Sequence, residues 1–304
     1  FGITTSEIKL GDVWCSTWSL GMHGLIVDGP NVYAVRAVEH FGTRDVMMDK
    51  SNDGGLTWMQ STGIARGSGI GCDPAITINP VTKSLHYAWD ASSDHGVYYG
   101  NGSVKTRVNG SVTYYGGSAY SISSDGNGVI HIVFFGSDAQ FYYASSSDNG
   151  STFSEPTAIP GASGTGWGYS FTADSAGNLY LVYNWGHYFM KKPAGGSWSS
   201  PYVVSFSLDG HPSMAVYDSN RIYIAANGAI AATSNGGQTW NLYTAPGGSS
   251  DVSLAVSSDG ILNYAWEGLG GIYFARTKKS HDPSSWGQAV LALAMAAQHP
   301  NVAV

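Results

Sequence analysis

The sequence predicts an all-β chain folded as a β-propeller of four-stranded antiparallel blades, and three observations predict it. The 304 residues include 41 Gly, 19 Tyr and 10 Trp but only 12% charged residues, a composition typical of many short strands joined by tight turns. An eight-residue motif recurs along the chain, and a second repeat marks the starts of seven strand units. We therefore expect a single domain, residues 1–304, of seven blades with the ring closed by the two termini; six blades plus a C-terminal strand is the alternative.

The first repeat is an octet of the form Ser/Thr-x-Asp/Asn-x-Gly-x-Thr-Trp/Phe. Complete copies cover residues 51–58, 146–153 and 233–240, and reduced copies end at Trp198 and Trp286. The last four aromatic positions lie 42 to 46 residues apart, a spacing typical of one blade. Asp or Asn bonds to backbone amides in turns, and Gly takes positive φ values there, so the octet predicts a hairpin turn. Its carboxylates are expected to be structural.

The second repeat precedes the first strand of each unit, and its starts lie 40 to 50 residues apart. The seven starting residues are His23, Asp73, Ala119, Gly168, His211, Asp251 and His299. A turn then leads into a second strand, aligned at Tyr33, His86, His131, Tyr180, Tyr223 and Asn263. Alternating apolar residues make each unit a four-stranded meander. The seventh unit holds only residues 299–304, so residues near the N-terminus, with an outer strand over 7–10, would have to complete it.

The octets resemble the Asp-box (BNR) repeat of sialidase-like β-propellers, and the resemblance extends over nearly the whole chain. It implies the propeller fold, but such propellers include sialidases, other glycosidases, polysaccharide lyases, lectins and non-catalytic assembly factors. The sialidases of the family grip the substrate carboxylate with three arginines. Here only Arg36 and Arg44 can be placed near the central opening, so sialic acid cleavage by that mechanism is disfavoured.

Propeller geometry predicts which residues face the central opening. The strand starts and the ends of the second strands emerge on the face opposite the octets. The second strands supply Ala37, Asp90, Phe135, Asn184, Asn227 and Glu267 to this face. In a seven-bladed ring the ionisable starts form one arc, made of His211, Asp251, His299, His23 and Asp73. Aromatic residues lie opposite the arc, which is an arrangement suited to stacking and acid–base contacts with a sugar.

Two enzyme chemistries fit these residues, and the sequence leaves both open. A glycoside hydrolase, the first expectation, would use paired carboxylates drawn from Asp73, Asp90, Asp251 and Glu267. A polysaccharide lyase would abstract a proton with His23, His211, His299 or Tyr169, while Arg36 neutralises a uronate. The expected substrate-binding residues are Arg36, Trp89, Tyr120, Trp167, Tyr169, Trp185, His187, Asn227 and Trp266.

A non-catalytic lectin or a structural or assembly module is the third alternative. Lectin propellers repeat a binding motif in most blades, whereas the starting residues differ between these units. The sequence therefore favours one asymmetric central site. A purely structural interpretation also stands, since the same starts could cap strand ends and bind water in the central tunnel.

Charge and composition restrict the partners. The net charge is −7 and the 14 Lys and Arg residues are scattered, which argues against nucleic acid. The residues around the central opening make an oligo- or polysaccharide the expected ligand. No apolar run approaches the roughly 20 residues that span a bilayer. No cofactor is expected, although the arc of His and Asp could hold a divalent metal.

The expected location is extracellular. Low charge and Asn-Gly-Ser sequons at Asn101, Asn109 and Asn149 favour it, although the same tripeptide is ordinary turn chemistry. Cys15 and Cys72 could form one disulfide or none.

Overall fold

The computed structural model describes residues 24–40, 43–67, 74–91, 93–116, 119–204, 210–248, 251–293 and 300–304. These residues form six four-stranded antiparallel sheets, each a meander in which consecutive strands are neighbours. Within the described ranges, no helix is long and apolar enough to cross a membrane. The chain divides into two compact units of three sheets each.

The first unit contains sheets one to three. Sheet one consists of β1 (Leu25–Asp28), β2 (Asn31–His40), β3 (Thr43–Ser51) and β4 (Thr62–Gly67). Sheet two consists of β5 (Ala75–Ile78), β6 (Leu85–Ala91), β7 (Gly96–Gly100) and β8 (Lys105–Arg107). Sheet three consists of β9 (Tyr120–Ser124), β10 (Ile130–Phe135), β11 (Gln140–Ser146) and β12 (Thr157–Ser163).

The second unit contains sheets four to six. Sheet four consists of β13 (Ser170–Ala173), β14 (Leu179–Tyr183), β15 (Tyr188–Lys192) and β16 (Tyr202–Val203). Sheet five consists of β17 (Ser213–Val216), β18 (Ile222–Ala226), β19 (Ala229–Thr233) and β20 (Asn241–Thr244). Sheet six consists of β21 (Val252–Val256), β22 (Leu262–Gly268), β23 (Gly271–Arg276) and β24 (Val290–Leu293).

Each octet forms the turn between the third and fourth strands of its sheet. In the first copy Asp53 accepts hydrogen bonds from Thr57 N at 2.9 Å and Thr57 Oγ1 at 2.6 Å, while Ser51 Oγ accepts one from Gly55 N at 2.8 Å. The bonds from Thr57, and one from Ser51, lower the pKa of Asp53 to about 2. The carboxylate is therefore occupied by its own turn.

The other two complete octets repeat this geometry. Asp148 accepts from Thr152 N at 2.9 Å and from Thr152 Oγ1 at 2.6 Å. Asn235, in place of the aspartate, accepts from Thr239 N at 3.0 Å. The amide of Gly236 also donates to the carbonyl of Asn220, which lies in the turn between the first and second strands. Both kinds of turn therefore occupy one end of a sheet, which we call the octet end.

Apolar side chains fill the space between neighbouring sheets within each unit. Val35 and Val46 of sheet one pack with Ile76, Tyr87 and Trp89 of sheet two. In the second unit, one cluster joins sheets four and five and another joins sheets five and six. The octet aromatics contribute as well, since the ring centroid of Phe153 lies 4.9 Å from that of Tyr99 in sheet two.

The prediction of seven blades is wrong, because the described residues form six four-stranded sheets. Residues 300–304 form no strand. The backbone amide of Val302 donates to Ser253 Oγ at 2.9 Å. This bond goes to a side chain, so it is not part of a β-ladder. A repeat that marks the start of one strand does not make a sheet unless further strands pair with that strand. The predicted outer strand over 7–10 lies outside the described residues.

Candidate functional site

The starts of the first strands lie beside the ends of the second strands in the second unit. Ser213 pairs with Ala225 in the antiparallel ladder of β17 and β18, and Val252 pairs with Trp266 in that of β21 and β22. His211 and Asp251 precede these first strands by two residues and one residue. Both residues therefore lie at the end of their sheets opposite the octet end, which is where the sequence predicted the site.

His211 and Asp251 form a hydrogen-bonded pair. Nδ1 of His211 lies 2.9 Å from Oδ1 of Asp251, and the two side chains are 10% and 13% exposed. The backbones of the two residues also form a parallel bridge, which fixes the distance between the two strand starts. The sequence named both residues, and the structure brings them together.

Trp185 covers the imidazole of His211. The two rings are stacked with centroids 5.3 Å apart and an interplanar angle of 18°. Trp185 lies in the turn between β14 and β15, where its amide donates to the carbonyl of Gly168 at 2.8 Å. Gly168 has a φ of +65°, and a Cβ at this position would lie 2.7 Å from the indole. A glycine is therefore required for the indole to take this position.

This geometry suits proton transfer by the histidine. With the proton on Nδ1, the imidazole donates to the Asp251 carboxylate, and Nε2 is left as the proton acceptor. A carboxylate that orients a histidine in this way also stabilises the imidazolium that forms when Nε2 takes a proton. The pair can therefore act as a general base and return the proton as a general acid.

The remaining candidates of the second unit differ in exposure. Trp167, His187 and Glu267 are half-buried and Asn227 is exposed. Glu267 follows Trp266 on β22, so the two side chains point to opposite faces of sheet six.

Two aromatic candidates of this unit lie in the core. Trp266 is 6% exposed and packs in the cluster between sheets five and six, stacked on Tyr264 and Tyr273. Tyr169 is fully buried.

Four candidates of the first unit contribute to its core or to an ion pair. Arg36 Nε donates to Asp49 Oδ2 at 2.7 Å, and its Nη2 donates to Ser61 Oγ at 3.0 Å. Trp89 and Asp90 are each 2% exposed, and Tyr120 is fully buried. The guanidinium proposed to neutralise a uronate is therefore already paired with a carboxylate.

Three of the predicted catalytic residues, His23, Asp73 and His299, lie outside the described residues, as do Cys15 and Cys72. The five-residue arc therefore stays a prediction. In the part of the chain that the structure describes, no three His, Cys, Asp or Glu side chains come together in a way that could hold a metal ion.

A cavity of about 110 Å³, which the sequence did not reveal, lies at the octet end of sheets five and six. Its walls include Arg221, Tyr223, Tyr243 and His281. These residues come from separate strands and turns and carry no shared motif. Only the alternation of Asn241 and Tyr243 along β20 hinted at a polar face.

The comparisons with known proteins support the fold. No family model matches the sequence, and no curated protein matches it. The structure is similar to that of a streptogramin B lyase, with a TM-score of 0.59 and 12% identity over 95% of this chain and 89% of the other. It is also similar to virginiamycin B lyase from Staphylococcus aureus, with a TM-score of 0.58 and 12% identity over 90% of this chain and 84% of the other.

A sialidase is a third similar structure. The Hadza microbial sialidase Hz136 has a TM-score of 0.50 and 14% identity over 83% of this chain, which spans 64% of the length of that sialidase. At such identities the likenesses show the β-propeller fold alone.

Proposed function

We propose that this β-propeller is a carbohydrate-active enzyme in which His211, oriented by Asp251, transfers the proton in the cleavage of a glycan. The observation that supports the proposal is the 2.9 Å contact between Nδ1 of His211 and Oδ1 of Asp251, with Trp185 stacked on the imidazole. Together these contacts hold the ring in one orientation. A fixed imidazole is what general acid–base catalysis requires.

The pair favours elimination over hydrolysis by two carboxylates. A hydrolase of the usual kind needs one carboxylic acid and one carboxylate facing the same glycosidic bond. Here the carboxylate of Asp251 is hydrogen-bonded to His211, and in that role it orients the imidazole. A lyase needs one base, and His211 provides it. Polysaccharide lyase chemistry, the second of the two enzyme alternatives, is therefore our first choice.

The proposed reaction is a β-elimination on a uronic acid residue. Nε2 of His211 takes the proton from the carbon next to the uronate carboxylate. The electron pair left on that carbon forms a carbon–carbon double bond, and the carbon–oxygen bond to the neighbouring sugar breaks. The departing oxygen takes up a proton, which His211 can return. The products are a shortened glycan and an unsaturated uronate.

The glycan as substrate class rests on the resemblance of the octets to Asp-box repeats and on aromatic residues close in sequence to Gly168 and Trp185. The octets fold into turns held by Asp53, Asp148 and Asn235, which is the role we propose for Asp boxes here. Trp167 and His187 are half-buried close in sequence to the Gly168–Trp185 contact, and we propose that they contact sugar rings. We further propose that the enzyme acts outside the cell.

The test is a panel of uronic acid polysaccharides and neutral polysaccharides, followed both by the ultraviolet absorbance of an unsaturated product and by reducing ends. We expect absorbance to rise with uronic acid substrates. His211→Asn should lower the rate by about 10²–10⁴-fold, because a general base typically contributes that factor. Asp251→Asn should lower it as well, since the imidazole loses the partner that orients it.

Matched controls separate the chemistries. His95→Asn and Glu155→Gln replace exposed residues of the same types and should leave the rate unchanged. Reducing ends without absorbance, lost in Glu267→Gln but kept in His211→Asn, would instead establish a carboxylate-based hydrolase. Tight glycan binding with no cleavage in either assay would leave a lectin and rule out the enzyme.

A further inference from the structure

The octet end of sheets five and six holds a cavity of about 110 Å³, which we call the octet-end cavity. The residues that decide its chemistry are Arg221, Tyr223, Ala232, Asn241, Tyr243 and His281. All of them belong to the second unit. The cavity lies at the opposite end of sheet five from His211, so it is separate from the proposed catalytic pair.

The cavity has a clear structural cause. Tyr223 pairs with Ala232 in the ladder of β18 and β19, and Ala232 pairs with Asn241 in that of β19 and β20. These three side chains therefore share one face of sheet five and form a row across it. Because the middle residue is alanine, a hollow remains between the tyrosine and the asparagine.

The wall of the cavity opposite this row is held in place. The hydroxyl of Tyr223 lies 3.1 Å from Nδ1 of His281, which ties sheet five to sheet six. The amide of His281 donates to the carbonyl of Gly260 at 2.8 Å, and its ring packs on that of Tyr217 with centroids 4.3 Å apart. A cavity with fixed walls loses little conformational entropy when a ligand binds.

The charges around the cavity are balanced. Arg221 donates to Asp218 through Nε at 2.8 Å and also through Nη2, so its positive charge is paired with a carboxylate. Burial lowers the pKa of the His281 imidazole below its ordinary value, and the charge of Arg221 lowers it further. The imidazole is therefore neutral at neutral pH, and the site carries no surplus charge to attract an anion.

Polar groups that both donate and accept hydrogen bonds surround the hollow. Asn241 is exposed on β20, and Tyr243 lies half-buried two residues further along the same face. The amide and the phenol can each donate and accept. Alternating donors and acceptors beside an aromatic ring match the hydroxyl groups and apolar face of a neutral sugar.

We propose that the octet-end cavity binds one neutral pyranose ring. Ligand pockets for larger molecules have volumes of about 300–1,000 Å³, so a volume of about 110 Å³ suits one ring and not a longer oligosaccharide. The balanced charge selects a neutral sugar over a uronate or sialic acid. The site would hold a sugar at a distance from the catalytic pair, and it does not depend on the chemistry proposed for His211.

The test is binding of methyl glycosides of neutral hexoses and of N-acetylglucosamine, measured by saturation-transfer NMR and by titration. We expect saturable binding of at least one glycoside. Asn241→Ala should weaken it about fivefold, because one hydrogen bond to a neutral group contributes about 1 kcal/mol. Ala232→Leu should abolish it by filling the hollow.

Two controls make the result specific. Leu242→Ala changes the neighbouring exposed residue, whose side chain points to the other face of β20, and should bind as the wild type does. His211→Asn should also bind as the wild type, even though it slows glycan cleavage. Asn241 is exposed, so Asn241→Ala should melt at the wild-type temperature.

Three outcomes would overturn the proposal. One is the absence of saturable binding of every neutral glycoside by folded wild-type protein. Another is unchanged binding by both Asn241→Ala and Ala232→Leu. The third is a preference for methyl glucuronide over the neutral glycosides, which would contradict the argument from balanced charge.

Discussion

His211 and His86 lie in different surroundings, and their contacts distinguish them. His211 lies at a strand start beside a carboxylate, where its ring can exchange a proton. His86 lies within β6 and is fully buried, with Nδ1 2.5 Å from the hydroxyl of Tyr99 and Nε2 3.0 Å from Ser84 Oγ. Both contacts of His86 are to neutral groups. It is therefore a structural residue that couples β6 to β7.

The first residue-scale prediction concerns acid stability. Burial lowers the pKa of His86 from 6.5 to about 4. Between these values the unfolded chain binds a proton that the folded protein does not, so stability falls as the pH drops from 6.5 to about 4. The loss of unfolding free energy from this pKa difference reaches about 3 kcal/mol at the acid end of that range. His86→Gln should remove this part of the pH dependence in urea unfolding measured at several pH values.

His95→Asn is the matched control, since it removes an exposed imidazole from the same unit. The control should keep the pH dependence of the wild type. If the unfolding free energy of His86→Gln changed with pH as steeply as that of the wild type between pH 6.5 and pH 4, His86 would not be a buried, neutral imidazole. The comparison of slopes holds even if His86→Gln is less stable at every pH.

Among the elements, the octet turns combine two functions in eight residues. Their polar side chains close the turn, and their glycines allow the turn to touch the neighbouring sheet. Gly150 has a φ of +85°, and a Cβ on it would overlap the hydroxyl and ring of Tyr99. Gly54 has a φ of +73°, but a Cβ there meets no described atom within 4 Å. A substitution at Gly54 therefore introduces backbone strain alone, whereas a substitution at Gly150 introduces strain and a packing clash.

The element-scale prediction uses that contrast. Gly54→Ala should cost about 1–2 kcal/mol of unfolding free energy, from the left-handed backbone alone. Gly150→Ala should cost about 2–5 kcal/mol, because overpacking against Tyr99 adds to the same strain. Chemical denaturation of both variants measures the difference. Equal losses of unfolding free energy in the two variants would show that Tyr99 moves aside without destabilising the protein.

On the scale of the whole molecule, serines at the starts of the first strands of sheets four to six connect each repeat to the next. Ser170 Oγ accepts from Met214 N at 3.3 Å, and Ser213 Oγ accepts from Leu254 N at 2.9 Å. Ser253 Oγ accepts from Val302 N in the same way. Each bond satisfies a backbone amide that begins the next unit. That residues 1–304 form one domain closed by the two termini stays a prediction.

The whole-molecule prediction concerns one of these connections. Ser213→Ala should cost about 1–3 kcal/mol, since the amide of Leu254 loses its acceptor. Ser258→Ala, at an exposed position, should stay within about 0.5 kcal/mol of the wild type. Thermal and urea unfolding provide both values. If Ser213→Ala lost no more unfolding free energy than the control, a water molecule would have replaced the serine hydroxyl as the acceptor for the Leu254 amide.

Much of the fold could be predicted from the repeats. Tyr33, His86, His131, Tyr180, Tyr223 and Asn263 all fall in second strands, as aligned. The blade count was wrong because a repeat marks where a unit begins, whereas a sheet also needs partner strands. The sequence could name His211 and Asp251 as candidates. It could not exclude Trp89 or Tyr120 as sugar contacts, since burial depends on the neighbouring sheet.

The amino-acid pattern alone determined the all-β class, the length of the repeating unit and the end of each sheet that carries the octet turns. Local hydrogen bonding and alternation fix these properties, and both act within a few residues. Only the tertiary structure decided that Asp251 bonds to His211, that Arg36 is paired with Asp49 and that a small side chain at Ala232 leaves a cavity. Those contacts join residues that are distant in sequence or separated across strands, and side-chain packing between sheets selects them.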